Sequence, residues 1–309
     1  MANSIKLFSG SSHPELAKEV AKYLKIPLSK MHLERFACGE IYAKPDETVR
    51  GADAFVIQTG TQDSSEDLME LFVMLDSLKR SFAGKLHVVM PHYPYARQDR
   101  VATPREPITA KLVADLISTA GADHFMGIKF HSDQEQGFFD FPVDNLNTNK
   151  LFADYFKKKK LKNLVVVSPD AGGAKDAKSF GDLIGAKLAI IHKTRPAHNK
   201  AEVMHMVGDV KGKNCIIFDD IVDTGGSVGA AVDALKKYGA KDIYFAVTHP
   251  VLSGPAVERL EKAGFKEIVV TNTIPIKKKF KGLKVLSVAP LLAQIIKSVH
   301  EQKSVTQYF

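Results

Sequence analysis

Two cysteines in 309 residues, Cys38 and Cys215, are too few and too far apart to build a disulfide framework or to match a zinc-ligand spacing. Cys215 lies in an apolar run and reads as a small core residue. Cys38 has no such setting. No apolar run approaches the roughly 20 residues that cross a bilayer, and the opening Met1-Ala2-Asn3-Ser4-Ile5-Lys6 lacks the apolar region of a signal peptide. A cytoplasmic protein without membrane contact is expected. The chain also lacks a clear internal repeat, and the stretch from 145 to 150 lacks the Gly and Ser of a flexible linker. The net charge is +8, but the basic runs at 157–160 and 277–281 are short and carry no interleaved stacking aromatics. That argues against a nucleic-acid partner and for solvated faces, while a small polyanionic substrate suits the charge.

What is present is a chain long enough for about two domains, with 45% hydrophobic residues to fill two cores. Apolar runs of strand length at Ile5–Phe8, Ala54–Thr59, Leu86–Met90, Phe125–Phe130, Leu164–Val167 and Leu188–Ile191 alternate with helical spacings such as Leu68, Leu71, Phe72, Leu75 and Leu78. The pattern predicts an α/β protein with parallel sheets, built as two similar halves joined near 145–150.

The most informative stretch runs from Cys215 to Ser227. An apolar strand ends in Asp219 and Asp220, passes through Asp223-Thr224-Gly225-Gly226-Ser227, and enters a helix marked by Val228, Ala231, Val232 and Leu235. Gly225 and Gly226 let the backbone approach an anion closely. Free N–H groups at the helix start, with the hydroxyls of Thr224 and Ser227, point donors at it. Asp219 and Asp220 can accept hydrogen bonds from a diol or hold a divalent cation. Phosphate at one end and hydroxyls at the other describe a ribose 5-phosphate. An ordinary strand–helix turn with a capping Asp is the competing reading, but two adjacent acids followed by this loop form a much narrower pattern.

Other strand ends carry polar loops. Asp170-Ala171-Gly172-Gly173 follows Leu164–Val167 and suits pyrophosphate and its metal. Pro91 and Pro94 forbid helix in the segment that leads to Arg97-Gln98-Asp99-Arg100, and Arg is well shaped to clamp phosphate oxygens. Val101 to Pro107 lacks periodicity and is expected to be a mobile loop. Phe36-Ala37-Cys38-Gly39-Glu40 reads as a hairpin turn. His131 directly follows an expected strand, where a single His is more often structural than a ligand. His192 to Lys200 is polar, basic and aperiodic, with the content of a lid.

The 219–227 loop resembles the signature of the phosphoribosyltransferase fold. Together with Phe36–Glu40, Tyr95–Arg100, Pro107–Ala114, Gln136–Phe139 and Val143–Leu146, it makes the chain resemble the ribose-phosphate pyrophosphokinase (phosphoribosyl pyrophosphate, PRPP, synthetase) family over essentially its whole length. The resemblance implies two phosphoribosyltransferase-like domains with mainly parallel sheets, 1–147 with the ATP-binding segments and 148–309 with the ribose 5-phosphate and pyrophosphate loops. It implies that Phe36, Cys38, Glu40, Arg97, Gln98 and Asp99 hold ATP, the Phe36 hairpin serving a neighbouring subunit. His131 and Asp170 would take Mg²⁺, Asp170 to Gly173 the pyrophosphate, Asp219 and Asp220 the ribose hydroxyls, and Asp223 to Ser227 the 5-phosphate. Lys193 and Arg195 would be the catalytic cations, and a homo-oligomer, a hexamer in that family, is expected.

Four positions depart from the family pattern. Lys129 stands where an acid is usual, Asp176 where a base is common, Thr194 between the two cations of a loop that often reads Lys-Arg-Arg, and Cys38 where Asp or Asn is usual. The implied reaction is transfer of diphosphate from MgATP to the C1 hydroxyl of ribose 5-phosphate. A non-catalytic regulatory homologue is the alternative, against which the retained Lys193 and Arg195 count.

Overall fold

A computed structural model describes residues 4–194 and 203–308. The chain divides into two compact units, one formed by residues up to Asn147 with Thr273–Pro275 and the segment from Ser287 onward, the other by Thr148–Asn272 and Ile276–Leu286. The division therefore departs from a single cut at 147/148, because the C-terminal segment returns to the first unit. The cause is packing. Leu292, Ile295 and Ile296 are fully buried on helix α8 (Ala289–His300), which lies against α1 (Pro14–Leu24). At its end His300 Nδ1 lies 2.8 Å from Asp53 Oδ2.

The first unit is built on a five-stranded parallel sheet in the order β1 (Ile5–Ser9), β4 (Asp53–Ile57), β5 (Lys85–Met90), β6 (His124–Ile128) and β7 (Val143–Leu146). A separate antiparallel hairpin joins β2 (Met31–Arg35) and β3 (Ile41–Pro45). Side-chain alternation divides the sheet's apolar residues between two faces. Phe8, Val56, Val88 and Phe125 share one core with Leu71, Met74 and Leu75 of α2 (Ser64–Arg80) and with Val113 and Ile117 of α3 (Thr109–Ala120). Their neighbours Leu7, Phe55, Ile57, Val89 and Met126 are equally buried on the opposite face. Such two-sided burial is why these strands read as continuous apolar runs in the sequence.

The second unit holds a seven-stranded sheet in the order β10 (Val203–Val207), β9 (Lys187–Thr194), β8 (Leu164–Ser168), β11 (Asn214–Val222), β12 (Ile243–Pro250), β13 (Glu267–Thr271) and β14 (Leu283–Leu286). Among the described residues of this sheet, only the β9–β10 pair is antiparallel. Helices α4 (Asn149–Lys158) and α5 (Ala174–Ile184) cover one face through Phe152, Phe156 and Phe180. Helices α6 (Gly226–Lys237) and α7 (Ala256–Ala263) cover the other through Val228, Val232, Leu235 and Leu260.

From the middle of this sheet the chain winds outward in both directions. β8 leads through α5 to β9 on one side, and β11 leads through α6 to β12 on the other. The adjacent carboxyl ends of β8 and β11 therefore form a topological switch point, where open α/β sheets leave a crevice for ligands.

Two strands differ from expectation. β9 continues to Thr194, three residues beyond the apolar run, because β10 pairs with it antiparallel, with Met206 opposite Ile191. β6 ends at Ile128, since Lys129 turns the chain with φ +47°. Within the loop at 101–107, the Glu106 carboxylate accepts from the N–H groups of Ala102 (3.0 Å) and Thr103 (2.9 Å).

Candidate functional site

β11 outlasts β8. Their pairing stops at Ile217 opposite Val167, while β11 runs on beside β12 to Val222 opposite Pro250. Asp219 and Asp220 consequently lie on the strand itself, in the part that extends past β8, rather than in the loop after it. Both are half-buried, and the Asp220 N–H donates to Asp219 Oδ1 at 3.0 Å. Burial first, then the Asp220 carboxylate, with a further contribution from Asp170, hold the Asp219 carboxyl well above the usual carboxylate range. Negative charge is thus crowded at the switch point, where a cation or hydroxyl donors would relieve it.

The loop after β11 is fixed from outside. The Asp223 carbonyl accepts from the Ser253 N–H (3.1 Å), the Val222 carbonyl from the Leu252 N–H (3.1 Å), and the Thr224 carbonyl from Arg259 Nη1 (3.0 Å). Gly225 caps α6 with φ +72°, a left-handed conformation that favours glycine, and a Cβ there would sit 3.5 Å from the Ala256 carbonyl oxygen. Thr224, Gly226 and Ser227 are exposed at the start of α6. That helix has no acidic residue in its first turn, so its own first turn sets no negative charge against an incoming anion. Arg259 was not legible in the sequence: an exposed Arg on an amphipathic helix carries no local signal, and α7 itself was missed.

The neighbouring loop after β8 has its own internal scaffold. Ser168 Oγ donates to the Asp170 carbonyl (2.7 Å), and the Gly173 N–H donates to Asp170 Oδ1 (3.0 Å). Asp170, Ala171 and Gly172 are exposed, and α5 starts after Gly173. A Cβ at Gly173 would press on Ser168 Oγ at 3.0 Å. Asp176 stands in the first turn of α5, where it complements the helix dipole and competes with an incoming anion. The second unit thus brings together two helix N-termini, two Gly-Gly loops and three carboxylates around adjacent strand ends.

In the first unit, Phe36, Cys38 and Glu40 are exposed at the tip of the β2–β3 hairpin. The Phe36 N–H donates to the Glu40 carbonyl at 2.9 Å, Gly39 takes φ +94°, and the Phe36 ring lies 5.8 Å from that of Tyr42. After β5, Arg97 and Gln98 are exposed and Asp99 is half-buried. Gln98 Oε1 accepts from Thr109 Oγ1 at 2.6 Å, which ties the segment to the first residue of α3. His131 is exposed, two residues beyond the turn at Lys129.

Lys193 belongs by its backbone to β9, paired opposite Met204 of β10, and Arg195 lies outside the described residues. Among the described residues no three His, Cys, Asp or Glu side chains are grouped to hold a metal. Such a group is not required by Mg²⁺, which typically takes one or two carboxylates together with substrate oxygens. The mutual crowding of Asp170, Asp219 and Asp220 fits that kind of site.

Comparison with known proteins adds the following. Residues 5–121 match the family model for the N-terminal domain of ribose phosphate pyrophosphokinase, and residues 193–309 match that for the phosphoribosyl synthetase-associated domain. The ribose-phosphate pyrophosphokinase of Bacillus caldolyticus is 50% identical over 99% of this chain and 98% of its own length. That of Bacillus subtilis is 48% identical over 99% of this chain and 97% of its own. The crystal structure of phosphoribosylpyrophosphate synthetase from Mycobacterium smegmatis superposes with a TM-score of 0.92 at 47% identity, covering 97% of this chain and 100% of that one.

Proposed function

The chain belongs to the ribose-phosphate pyrophosphokinase family, and from that membership we infer how its residues divide the work. The protein is an enzyme, a ribose-phosphate diphosphokinase that uses ATP and ribose 5-phosphate to make PRPP and AMP for nucleotide biosynthesis. Near-half identity to proteins bearing the enzyme's name, along the full chain, favours the catalytic reading over a non-catalytic regulatory one.

In the reaction the C1 hydroxyl oxygen attacks the β-phosphorus of ATP, the bond from that phosphorus to the bridging oxygen breaks, and AMP leaves with that oxygen while the hydroxyl proton is lost. There is little covalent chemistry for the protein, whose task is to align two substrates and stabilise spreading charge. In the proposed division, Asp223 to Ser227 and the start of α6 bind the 5-phosphate, with Asp219 and Asp220 on the ribose hydroxyls. Asp170 to Gly173 and the start of α5 bind the transferred pyrophosphate. The observation that carries this reading is that both loops flank one topological switch point, so the two ends of the product would be gripped by adjacent strand ends.

Phe36, Cys38, Glu40, Arg97, Gln98 and Asp99 are assigned to ATP, and Lys193 and Arg195 to charge stabilisation in the transition state. Mg²⁺ is assigned to Asp170 and His131, each on its own loop, and when bound it would neutralise charge on the phosphate oxygens. A homo-oligomer, a hexamer by resemblance, follows from giving the Phe36 hairpin to a neighbouring copy, and a cytoplasmic location is proposed with it. The experiment is AMP release from ATP with and without ribose 5-phosphate, in the wild type and in Asp220→Asn. Release that depends on ribose 5-phosphate, with KM for that substrate raised in the variant, is expected. An unchanged KM would remove Asp220 from the sugar site.

A further inference from the structure

The first two turns of α2 present a row of polar side chains, each bonded to a different segment of the first unit. Glu66 Oε2 receives Arg35 Nη1 at 2.7 Å, at the base of the hairpin. Ser65 Oγ shares a hydrogen bond of 2.9 Å with the Tyr95 hydroxyl. Asp67 Oδ2 accepts from both the N–H and the hydroxyl of Thr61, each at 2.7 Å. Glu70 is 5% exposed and accepts from the Ser11 N–H (2.6 Å), the Ser11 hydroxyl (2.8 Å) and Gln58 Nε2 (2.9 Å). A buried carboxylate with three donors is a rigid point, since breaking any of these bonds leaves charge poorly solvated. The start of α2 is therefore a fixed bracket rather than a frayed helix end.

Tyr95 is the unusual partner. Its φ is +63°, a left-handed conformation that is a genuine outlier for a bulky aromatic residue. Such strain persists only where the surroundings over-determine it, and it gathers at functional sites. Here the ring packs against the core, the Tyr95 carbonyl accepts from the Gln98 N–H at 2.8 Å, and the hydroxyl is tied to Ser65. The tight turn so formed leaves Arg97 and Gln98 exposed just beyond it.

We propose that Ser65 and Tyr95 are positioning residues for the nucleotide: the hydroxyl bond to the α2 bracket holds the left-handed turn that presents Arg97 and Gln98. This rests on the reading that Arg97 and Gln98 bind ATP. Losing the tether leaves the ring in place but frees the turn, so the cost of ordering Arg97 and Gln98 falls on ATP binding.

The test uses the full-length enzyme and Tyr95→Phe, Ser65→Ala, Ser65→Thr and the Tyr95→Phe/Ser65→Ala double variant, with KM for each substrate, kcat and the thermal midpoint. Tyr95→Phe and Ser65→Ala should each raise KM for ATP by about two- to tenfold, the range of one lost hydrogen bond. The double variant should be no worse than either single one, because both remove the same bond. Ser65→Thr, which keeps a hydroxyl, should restore the wild-type value. KM for ribose 5-phosphate and the midpoint should stay unchanged. An unchanged KM for ATP, additive effects in the double variant, or both KM values rising with a lowered midpoint would overturn the proposal. Arg97→Ala separates the two levels. If it leaves KM for ATP untouched, the nucleotide reading falls and the proposal with it; if it raises that KM while Ser65→Ala and Tyr95→Phe do not, only the positioning role is lost.

Discussion

The Gly173 N–H donates to the Asp170 carboxylate at 3.0 Å, so the acid assigned to pyrophosphate and metal is already oriented by its own loop. Charge and orientation can be separated by substitution. Asp170→Asn keeps an oxygen for the Gly173 N–H and loses the charge, whereas Asp170→Ala loses both. If charge is what matters, both variants should lose at least about a hundredfold in kcat. Near-wild-type turnover in Asp170→Asn would reduce Asp170 to a loop brace.

Asp219 offers a test in which stability and function move in opposite directions. Its folded pKa is raised by burial and then by Asp220, so the native state binds more protons than the unfolded chain once pH exceeds the ordinary carboxylate value. Stability is therefore lost as pH rises from that value through the raised one. Asp219→Asn removes the ionisation and should raise the thermal midpoint at neutral pH while weakening ribose 5-phosphate binding. A lowered midpoint would show that the carboxylate stabilises the fold.

Gly225 takes φ +72° at the start of α6. Gly225→Ala should destabilise the second unit by about 1 kcal/mol and raise KM for ribose 5-phosphate, since the turn aims the α6 N-terminus. Denaturant unfolding and substrate titration measure the two effects separately.

Lys193 and Arg195 are assigned to transition-state charge. Lys193→Ala should lower kcat by on the order of a hundredfold or more with only a modest change in nucleotide affinity, and Arg195→Ala should behave alike. The double variant should fall short of the product of the two effects if they act as one unit. Undiminished kcat in Lys193→Ala, with both substrates saturating, would remove it from the mechanism.

A last prediction concerns acid stability, away from the site. His87 Nδ1 lies 3.1 Å from His124 Nδ1, and its ring stacks on Phe55 at 4.3 Å. Burial, reinforced by His124, pushes its pKa down to about 4. The unfolded chain binds the extra proton first, so stability is lost as pH falls from about 6.5 towards 4, by on the order of 3 kcal/mol at most. His87→Phe should flatten unfolding midpoints across that window. An unchanged slope would place the acid sensitivity elsewhere.

The α/β class and the two Gly-Gly loops were legible because their signals are local. A strand buried on both faces must be apolar throughout, and a backbone that passes close to an anion must shed its side chains, so Ile216-Ile217-Phe218 and Gly225-Gly226 speak for themselves. Strand ends were less legible. That β11 carries Asp219 and Asp220 inside the ladder depends on β12 being long enough to pair as far as Pro250, and that β9 reaches Thr194 depends on β10.

The sequence by itself determined which residue types stand at each strand end, and through them the chemistry on offer: carboxylates, helix N-termini and guanidinium groups. Tertiary structure decided which of these meet. Two loops far apart in the chain, at 170–173 and 223–227, became one candidate site because β8 and β11 are neighbours at the switch point. Arg259 came to the Thr224 carbonyl because α7 packs beside α6. The C-terminal helix joined the first unit because its apolar face and His300 find partners in α1 and Asp53. The physical reason is the range of the forces involved. Propensity and backbone sterics act between near neighbours in the chain and are written in short windows, whereas burial and long-range pairing depend on which surfaces remain once the strands have ordered.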